Sequence, residues 1–138
     1  MADLKLELVL IPVTDIDRAK AFYTERLGFT LDVDHAPNEE FRVVQMTPPG
    51  SACSVTIGKG ITDAKPGAYR GTHLVVEDIE AAREELVGRG VDVSAIRHMT
   101  PQGWADGVDP AHAEYNSFAD FADPDGNTWV LQEVRRTS

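Results

Sequence analysis

The sequence contains few of the features that mark disulfide-rich, membrane-bound or secreted proteins. Cys53 is the only cysteine, which excludes an internal disulfide and a cysteine-based zinc cluster. No apolar run approaches the length of a membrane span, and no basic N-terminal segment followed by an apolar core indicates secretion. We therefore expect a cytoplasmic protein without a membrane partner.

Basic residues are also scarce. The chain has 13 Lys and Arg against 23 Asp and Glu, and its formal net charge is −10. A field of this sign repels phosphate backbones, so nucleic acids and anionic membrane surfaces are poor partners. If charge selects a ligand, it favours a neutral or cationic one.

The length and the remaining composition are those of one ordinary globular domain. The chain has 138 residues, of which 42% are hydrophobic and 26% charged. A chain of this length buries most of its apolar surface without disulfides. We predict a single domain over residues 1–138.

Residues 4–57 show the periodicities of one βαβββ unit. Apolar residues recur every three or four positions from Ile16 to Leu27, which predicts a helix. Thr14 or Asp15 caps its start. The strands predicted around this helix are Leu4–Val13, Phe29–Val33, Phe41–Met46 and Ala52–Ile57, with a polar connection at His35–Glu40.

Residues 72–134 repeat this order after a linker at residues 58–71, which carries four glycines, a proline and little periodicity. Asp78 caps the second predicted helix, and Gly88 and Gly90 end it. The strands predicted in this half are Leu74–Val76, Val91–Ile96, Asn116–Ala122 and Thr128–Val134.

Two segments of the first half superimpose on segments of the second. Val13–Ala19 (VTDIDRA) aligns with Val76–Ala82 (VEDIEAA), and Thr47–Gly50 (TPPG) aligns with Asp123–Gly126 (DPDG). Proline, aspartate and glycine give the last segment the chemistry of a tight turn. We interpret the chain as a tandem duplication of one βαβββ unit, each too small to bury a sheet face alone.

Arg97–Tyr115 has no counterpart of similar length in the first half and is predicted to be a long loop without secondary structure. It contains His98, Trp104 and His112 among glycines, prolines and aspartates. Loops of this length are often functional lids, and a mobile surface insertion is the alternative.

Two motifs carry a resemblance to a known family. Val-x-Asp-Ile-Asp-Arg-Ala-x-x-Phe-Tyr-x-x-x-Leu-Gly-Phe spans Val13–Phe29, and Asp-Pro-Asp-Gly-Asn spans Asp123–Asn127. With the duplication, they resemble the vicinal oxygen chelate superfamily, which includes glyoxalases, extradiol dioxygenases and bleomycin-resistance proteins. The resemblance implies an α+β fold in which tandem βαβββ units form a curved, partly open mixed sheet around a cavity, with helices outside, in a homodimer.

The resemblance also implies where a divalent metal would be held. The enzymes of this family bind it through histidine or glutamate on the first and last strands of each unit. The corresponding positions here are Leu8, Gly71, Val130 and either Ser54 or Thr56. The first three have no donor side chain, and a neutral hydroxyl is a weak ligand for such metals. No cofactor is predicted, and a divalent metal at an unusual site is the alternative.

His73 lies two residues beyond Gly71, on the same side of its strand. One imidazole cannot hold a catalytic metal where three protein ligands are usual. His73 is therefore interpreted as a pocket hydrogen-bonding or acid/base residue, with a histidine satisfied by its neighbours as the alternative. Other candidate ligands lie in the predicted loop at spacings that match no metal motif: His98, Asp106, Asp109, His112 and Glu114.

Two classes of function remain. The first is metal-free binding or sequestering of a drug or natural product, which the resemblance to the bleomycin-resistance branch implies. The second is an enzyme of glyoxalase, dioxygenase or isomerase type that acts on a small oxygenated metabolite, with an unusual metal site or with His73 as general base. The lack of donors at the metal positions favours the first.

Side-chain alternation along the strands predicts the lining of the pocket. A mostly apolar lining with a few polar groups suits a sizeable organic ligand, and aromatic loop residues can stack on an aromatic one. The acidic balance suits a cationic ligand. The predicted ligand-binding residues are Leu8, Leu10, Ser54, Thr56, His73, Trp104, His112, Tyr115, Thr128, Val130 and Gln132.

Overall fold

A computed structural model of the chain describes residues 2–135, which divide into two compact units. The first unit runs to Tyr69 and also includes Asp123–Asn127. The second unit begins at Arg70, runs to Ala122 and resumes at Thr128. Each unit contains one open sheet.

The first unit contains a four-stranded mixed sheet. Its strands follow in the order β1-β4-β3-β2 across the sheet. Strand β1 is parallel to β4, and the other neighbours are antiparallel. The strands span Leu8–Leu10 (β1), Thr30–Asn38 (β2), Phe41–Thr47 (β3) and Ser54–Lys59 (β4).

Helix α1 spans Ile16–Ala21 and continues into a π-helical turn at Phe22–Arg26. The side chain of Asp15 accepts a hydrogen bond of 3.0 Å from the backbone N–H of Arg18, which satisfies one of the orphan donors at the helix start. Gly28 has φ of 76°, a conformation that glycine adopts without strain, and the chain leaves the helix there.

Helix α1 packs on one face of the first sheet. The ion pair of 2.7 Å between Lys20 of α1 and Asp34 of β2 identifies this face, because Asp34 is the register partner of Val44. Burying a large apolar side chain stabilises the fold by about 2 kcal/mol. The buried apolar residues of this unit are Ile11, Ala19, Tyr23, Leu27, Phe29, Val44, Met46, Val55 and Ile57.

The segment Asp123–Asn127 is fixed in the first unit by buried polar contacts. The hydroxyl of Tyr23 donates a hydrogen bond of 2.7 Å to Asp123 Oδ2. Asn127 Nδ2 donates to the same carboxylate oxygen and to the carbonyl of Pro12, both at 2.8 Å. The Asp-Pro-Asp-Gly-Asn motif is therefore a packing element as well as a turn.

The second unit contains a five-stranded mixed sheet in the order β5-β9-β8-β6-β7, with β5 parallel to β9. The other neighbours are antiparallel. The strands span Thr72–Val76 (β5), Arg97–Thr100 (β6), Gly103–Asp106 (β7), Ser117–Ala122 (β8) and Thr128–Glu133 (β9).

Helix α2 spans Ile79–Gly88 and covers one face of this sheet. Asp78 caps it by accepting a hydrogen bond of 3.1 Å from the backbone N–H of Ala81. On the covered face, the rings of Phe121 and Trp129 stack in parallel at 6.2 Å. The other buried apolar residues of the unit are Ile79, Val91, Val93, Ala119, Leu131 and Val134.

The predicted α+β class is confirmed, with two open mixed sheets and few helices. Of the two predicted caps of the first helix, Thr14 or Asp15, the structure has Asp15, and the predicted cap Asp78 of the second helix is confirmed. The predicted strands Phe41–Met46, Asn116–Ala122 and Thr128–Val134 agree with β3, β8 and β9 to within one residue at each end. Among the described residues, no helix is long and apolar enough to cross a membrane.

The predicted bounds of the first two strands are wrong. Of the predicted strand Leu4–Val13, only Leu8–Leu10 forms a strand. Strand β2 continues to Asn38, through most of the segment predicted as a polar connection at His35–Glu40. All nine residues of this edge strand are exposed, and after Val33 the sequence DHAPN has no apolar alternation from which the rest of the strand could be predicted.

The predicted strand Val91–Ile96 is also wrong, because this segment has no regular secondary structure. Val91 and Val93 are buried, which explains the apolar signal. The guanidinium of Arg83 in α2 donates hydrogen bonds to two backbone carbonyls of this segment. Its Nε donates to the carbonyl of Ser94 at 2.7 Å, and its Nη2 donates to that of Val93 at 3.2 Å. The strand β6 begins only at Arg97.

The prediction that Arg97–Tyr115 lacks secondary structure is wrong. The segment contains the hairpin of β6 and β7, which adds two strands to the second sheet. Gly103, with φ of 107°, lies at the turn between them. The part after β7 is irregular, and residues 107–116 run without strand or helix to the start of β8.

Candidate functional site

Each sheet has one face covered by the helix of its own unit and an opposite face, which we call the helix-free face. In the second sheet, the side chain of Glu133 lies on the covered face, since its carboxylate accepts a hydrogen bond from Ile79 N at the start of α2. Successive side chains of a strand alternate between faces. The predicted residues Thr128, Val130 and Gln132 therefore lie on the helix-free face.

The register of the second sheet places several predicted residues side by side on this face. His73 of β5 is the partner of Val130, and Val75 is the partner of Gln132. On the other side of β9, Gln132 is paired with Phe118 of β8. His73, Val130 and Gln132 thus share one continuous surface within the second unit.

Two of the predicted residues in β9 have hydrogen-bond partners within the unit. The hydroxyl of Thr128 accepts a hydrogen bond of 2.7 Å from Gly71 N. The amide of Gln132 donates one of 3.1 Å to the carbonyl of Tyr115. Their side chains therefore fix the neighbouring segments as well as lining the face.

A group of four side chains on the helix-free face forms an aromatic–cation cluster, defined by Arg97, Trp104, Phe118 and Asp120. The guanidinium carbon of Arg97 lies 4.9 Å from the ring centroid of Trp104 and 5.9 Å from that of Phe118. The two rings meet edge to face at 5.5 Å. Arg97 also forms an ion pair of 2.9 Å with Asp120, so the cation is held in place on two sides.

Much of this surface is exposed. Trp104 and Val75 each expose 54% of their surface and Met99 exposes 44%. Met99 and Trp104 are register partners, and neighbouring exposed apolar side chains of this kind mark an interaction site or a ligand site. Sequence reasoning identified Trp104 but missed the other members of the aromatic–cation cluster, because Arg97 and Phe118 reach the same surface only through the pairing of β6 with β8.

His73 has a defined tautomer on this face. Its Nδ1 lies 2.6 Å from the carbonyl oxygen of Gly71. A carbonyl only accepts hydrogen bonds, so Nδ1 carries the proton and Nε2 of the neutral ring is an acceptor. His73 is exposed, and this Nε2 can accept a proton or a hydrogen bond from a bound molecule.

The irregular segment 107–116 is held by side chains rather than by strand pairing. The carboxylate of Asp109 accepts hydrogen bonds from Ala111 N, Ala113 N and Asn116 Nδ2, at 3.0 to 3.2 Å. The Asn116 side chain, followed by the amides of Ala111 and Ala113, holds the pKa of Asp109 below its ordinary value. The predicted residue Tyr115 is half exposed, with φ of 67°.

The predicted residue His112 binds Glu133 on the covered side of the sheet. Its Nδ1 lies 2.9 Å from Glu133 Oε1, and Glu133 is only 1% exposed. Burial by itself raises the pKa of Glu133, but hydrogen bonds from His112 and from the Ile79 amide, with the charge of Arg135, outweigh it and lower the pKa. Glu133 therefore joins segment 107–116 to the start of α2.

In the first sheet, the predicted residues form two adjacent pairs on the helix-free face. Leu8 of β1 is the partner of Ser54 of β4, and Leu10 is the partner of Thr56. Ser54 and Thr56 are 4% and 3% exposed. Gln45 of β3 flanks Thr56 on its other side.

The hydroxyls of this face are unequally satisfied. The Thr47 hydroxyl donates to the carboxylate of Asp32 and lies 2.7 Å from the Ser54 hydroxyl. The Thr56 hydroxyl is buried and has no hydrogen-bond partner among the described residues. Sequence reasoning selected Ser54 and Thr56 by alternation but missed Asp32 and Thr47, which a bulge in β2 brings together.

The residues at the family's metal positions do not fit a metal. Leu8, Gly71 and Val130 offer no donor side chain. His98 is buried, and its Nδ1 donates to the Gly107 carbonyl at 2.8 Å. Within residues 2–135, no group of three or more His, Cys, Asp or Glu side chains is placed to hold a metal ion.

The fold agrees with a comparison of the chain with known families. The model of the glyoxalase/bleomycin resistance protein/dioxygenase superfamily matches residues 5–131. The chain belongs to this superfamily. The paired motifs at Val13–Phe29 and Asp123–Asn127 that predicted the resemblance both lie inside the matched range.

Similar members of the superfamily include proteins of known structure. One is TnmS3, an antibiotic-binding protein from Streptomyces sp. CB03234, whose crystal structure matches with a TM-score of 0.76. Its sequence is 31% identical to this chain, and the match covers 97% of this chain and 98% of that chain. A superfamily member from Sphaerobacter thermophilus DSM 20745 is 30% identical over 95% and 98% of the two chains, with a TM-score of 0.73. The uncharacterized protein YetH of Bacillus subtilis is 26% identical over 91% of this chain and 94% of its own length.

Proposed function

We propose that the protein binds a small organic molecule, such as a drug or natural product, and sequesters it without transforming it. The observation that carries this proposal is the aromatic–cation cluster with its exposed Trp104 on the helix-free face of the second sheet. The likeness to an antibiotic-binding protein over nearly the whole chain supports it. Exposure of a large aromatic side chain to water is unfavourable, and a bound ligand that covers the side chain removes this exposure.

The aromatic–cation cluster indicates the chemistry of the ligand. An exposed indole stacks on a planar aromatic ring, and such contacts contribute about 0.5–1.5 kcal/mol beyond the area that they bury. Asp120 is 42% exposed but is paired with Arg97, so the cluster itself carries no net charge and accepts a neutral aromatic ligand. The net charge of −10 disfavours an anionic one. We therefore expect an aromatic ligand that is neutral or cationic.

The proposal is tested by calorimetric titration of the protein with a panel of planar aromatic natural products, half of them cationic. For any compound that binds, we expect Trp104→Ala to weaken binding about tenfold, because the variant removes the stacking surface. Trp104→Phe should retain most of the affinity. Val87→Ala, which truncates another exposed apolar side chain, is the matched control and should leave binding unchanged.

Equal affinity of the wild type and Trp104→Ala would remove the aromatic–cation cluster from the site.

We further propose that binding needs no metal, since the family's metal positions hold Leu8, Gly71 and Val130. The affinity should be the same with and without EDTA. Tight stoichiometric binding of nickel, zinc, manganese or iron to the protein would contradict this part of the proposal.

A second candidate function is metal-free acid/base catalysis on a small oxygenated metabolite. It is favoured by the geometry of His73, whose Nδ1–Gly71 hydrogen bond leaves Nε2 as the basic nitrogen. Mass spectrometry of bound compounds after long incubation distinguishes the candidates. Conversion that His73→Gln abolishes while binding persists would favour catalysis, and unchanged compounds favour sequestering.

We also propose a homodimer. Strand β2 is an edge strand that exposes Leu31 by 42% and Val33 by 40%, and unpaired apolar edges are commonly covered in an assembly. Light scattering at micromolar concentration should give twice the chain mass of 15.1 kDa. A mass of one chain would contradict this proposal without affecting the ligand site.

A further inference from the structure

The residues before β1 carry the apolar alternation of a strand but do not belong to one. Leu8 and Leu10 of β1 lie on one face of the first sheet. Leu4 and Leu6 continue the same spacing, yet residues 2–7 have no regular secondary structure and all six are exposed. Leu4 exposes 92% of its surface and Leu6 exposes 69%, more than any other large apolar side chain among the described residues. We call residues 2–7 the leucine segment.

The leucine segment has the sequence of a strand but lacks a partner strand. Strand β1 lies at the edge of the first sheet, and β4 is its neighbour there. Their parallel register begins at Leu8 and Ser54, and the Ser54 N–H donates to the carbonyl of Glu7 at 2.9 Å. Because β4 itself begins at Ser54, it cannot extend the pairing to residues 2–6. An edge strand that continues into an unpaired apolar segment is a template for another strand.

The polar side of the leucine segment is complementary to itself. Lys5 and Glu7 alternate with the leucines, and neither forms an ion pair within residues 2–135. When two copies of this segment pair antiparallel with Leu6 at the centre, Lys5 of each copy lies opposite Glu7 of the other. Leu4 then lies opposite Leu8 of the second copy. Opposite charges and apolar side chains that face each other across two strands are both stabilising.

Other registers lose this match. Centring the pair on Lys5 or on Glu7 places two like charges directly opposite each other, which is unfavourable. A register that brings Leu6 opposite Lys5 sets the apolar row against the polar row, because side chains alternate with a period of two residues. The charges and the alternation therefore favour the same centre.

We propose that the leucine segment is a surface for a second copy of this chain, pairing antiparallel with the same segment and centred on Leu6. Such an interface is isologous, because one patch contacts its own equivalent around a twofold axis. The inference rests on the proposed homodimer and names the residues that form it. The proposed binding of a small organic molecule does not depend on it.

Charge reversal tests the pairing, with the dimer dissociation constant measured by analytical ultracentrifugation. Lys5→Glu and Glu7→Lys each place like charges at both cross-strand contacts and should raise this constant roughly tenfold. The double variant restores opposite charges and should bind as the wild type does. An equimolar mixture of the two single variants should form a heterodimer more tightly than either variant forms a homodimer. Lys65→Glu, an equal change of charge at another exposed lysine, is the matched control and should leave the constant unchanged.

Cysteine crosslinking tests the centre of the register, in a Cys53→Ser background. Leu6→Cys places two thiols at the twofold axis, on Cα atoms about 4.5–5.5 Å apart, so mild oxidation should link the two copies by a disulfide. Leu4→Cys is the matched control. Its two thiols lie four residues apart along the paired strands, about 13 Å, and should not link. Both leucines are exposed, so both variants should keep the circular dichroism of the wild type.

The outcomes separate this surface from the proposed homodimer. Equal linking of Leu4→Cys and Leu6→Cys overturns the register. Unchanged dissociation constants in both charge variants, together with dissociation caused by Leu31→Asp, overturn the surface and assign the homodimer to the edge of β2. A wild type that is a monomer at micromolar concentration overturns both the surface and the homodimer, while small-molecule binding remains open to the calorimetric titration.

Discussion

The two units share one plan but present different chemistry on their helix-free faces. The first sheet offers the hydroxyls of Ser54 and Thr56 over β4, and the second offers the exposed indole of Trp104 beside Arg97. In both units the buried apolar side chains of the strands lie on the covered face. Packing constrains that face in the same way twice, whereas the opposite face is free to diverge. We interpret this divergence as support for the proposed contact between the helix-free faces and a ligand.

The covered faces also differ in how they fix their helices. Asp15 and Asp78 cap α1 and α2 in the same way, each bonded to the amide three residues on. Helix α2 has a second acceptor, the buried carboxylate of Glu133 at Ile79 N. In the first unit the buried carboxylate is Asp123, which accepts from the hydroxyl of Tyr23. Each unit thus depends on a buried acid, but one acid is in an ion pair and the other is held by neutral donors.

The largest test of this difference is Glu133→Leu. The substitution leaves the buried Ile79 N and the Nδ1 of His112 without their acceptor, and we expect it to destabilise the protein by about 3 kcal/mol, because a buried donor that loses its partner keeps its desolvation penalty. Urea denaturation measures the change. Glu77→Leu, at an exposed position before α2, is the matched control and should change stability by less than about 0.5 kcal/mol. Equal stability of the two variants would refute the role of Glu133.

The pH dependence of the free energy of unfolding tests the role of Glu133 in a second way. The pKa of Glu133 is lowered in the folded protein, so its ionised form stabilises the fold above the unfolded value near 4.5. That contribution should be complete above about pH 5.5 and decline as the pH falls below 4.5 towards the folded pKa. The stability difference between the wild type and Glu133→Gln should shrink over this interval. A difference that stays constant from pH 7 to pH 3 would mean that Glu133 does not titrate with folding.

Much of the fold was predictable because it depends on local chemistry. The caps Asp15 and Asp78, the turn at Asp123–Asn127 and strands β3, β8 and β9 each have a signal within a few residues. The edge strand β2 and the hairpin of β6 and β7 carry weak apolar alternation, because edge positions are exposed. Whether these segments form strands depends on the neighbouring strand, and a local sequence pattern does not identify that neighbour.

For the candidate site, the sequence predicted which face of the sheet a residue lies on but not which side chains it contacts. Alternation alone put Ser54 and Thr56 together, and it put Val130 and Gln132 together. It could not supply Asp32, which reaches Thr47 through an irregular register, or Arg97, which joins Phe118 across a strand pair. These contacts join residues 15 and 21 positions apart. The lining residues can therefore be predicted from local alternation. The partners that determine what these residues recognise depend on long-range strand pairing.

The smallest expected effect is that of Tyr23→Phe in the first unit. The variant removes the hydrogen bond of 2.7 Å to Asp123 but leaves Asn127 Nδ2 and two backbone amides bonded to the same carboxylate. We expect a loss of about 1–2 kcal/mol in urea denaturation, less than for Glu133→Leu, because the acid keeps its other donors. Tyr115→Phe, at a half-exposed tyrosine, is the control and should change stability little. A loss for Tyr23→Phe as large as that for Glu133→Leu would mean that the two buried acids are equally dependent on one donor, and the contrast between a paired acid and a neutrally bonded acid would fail.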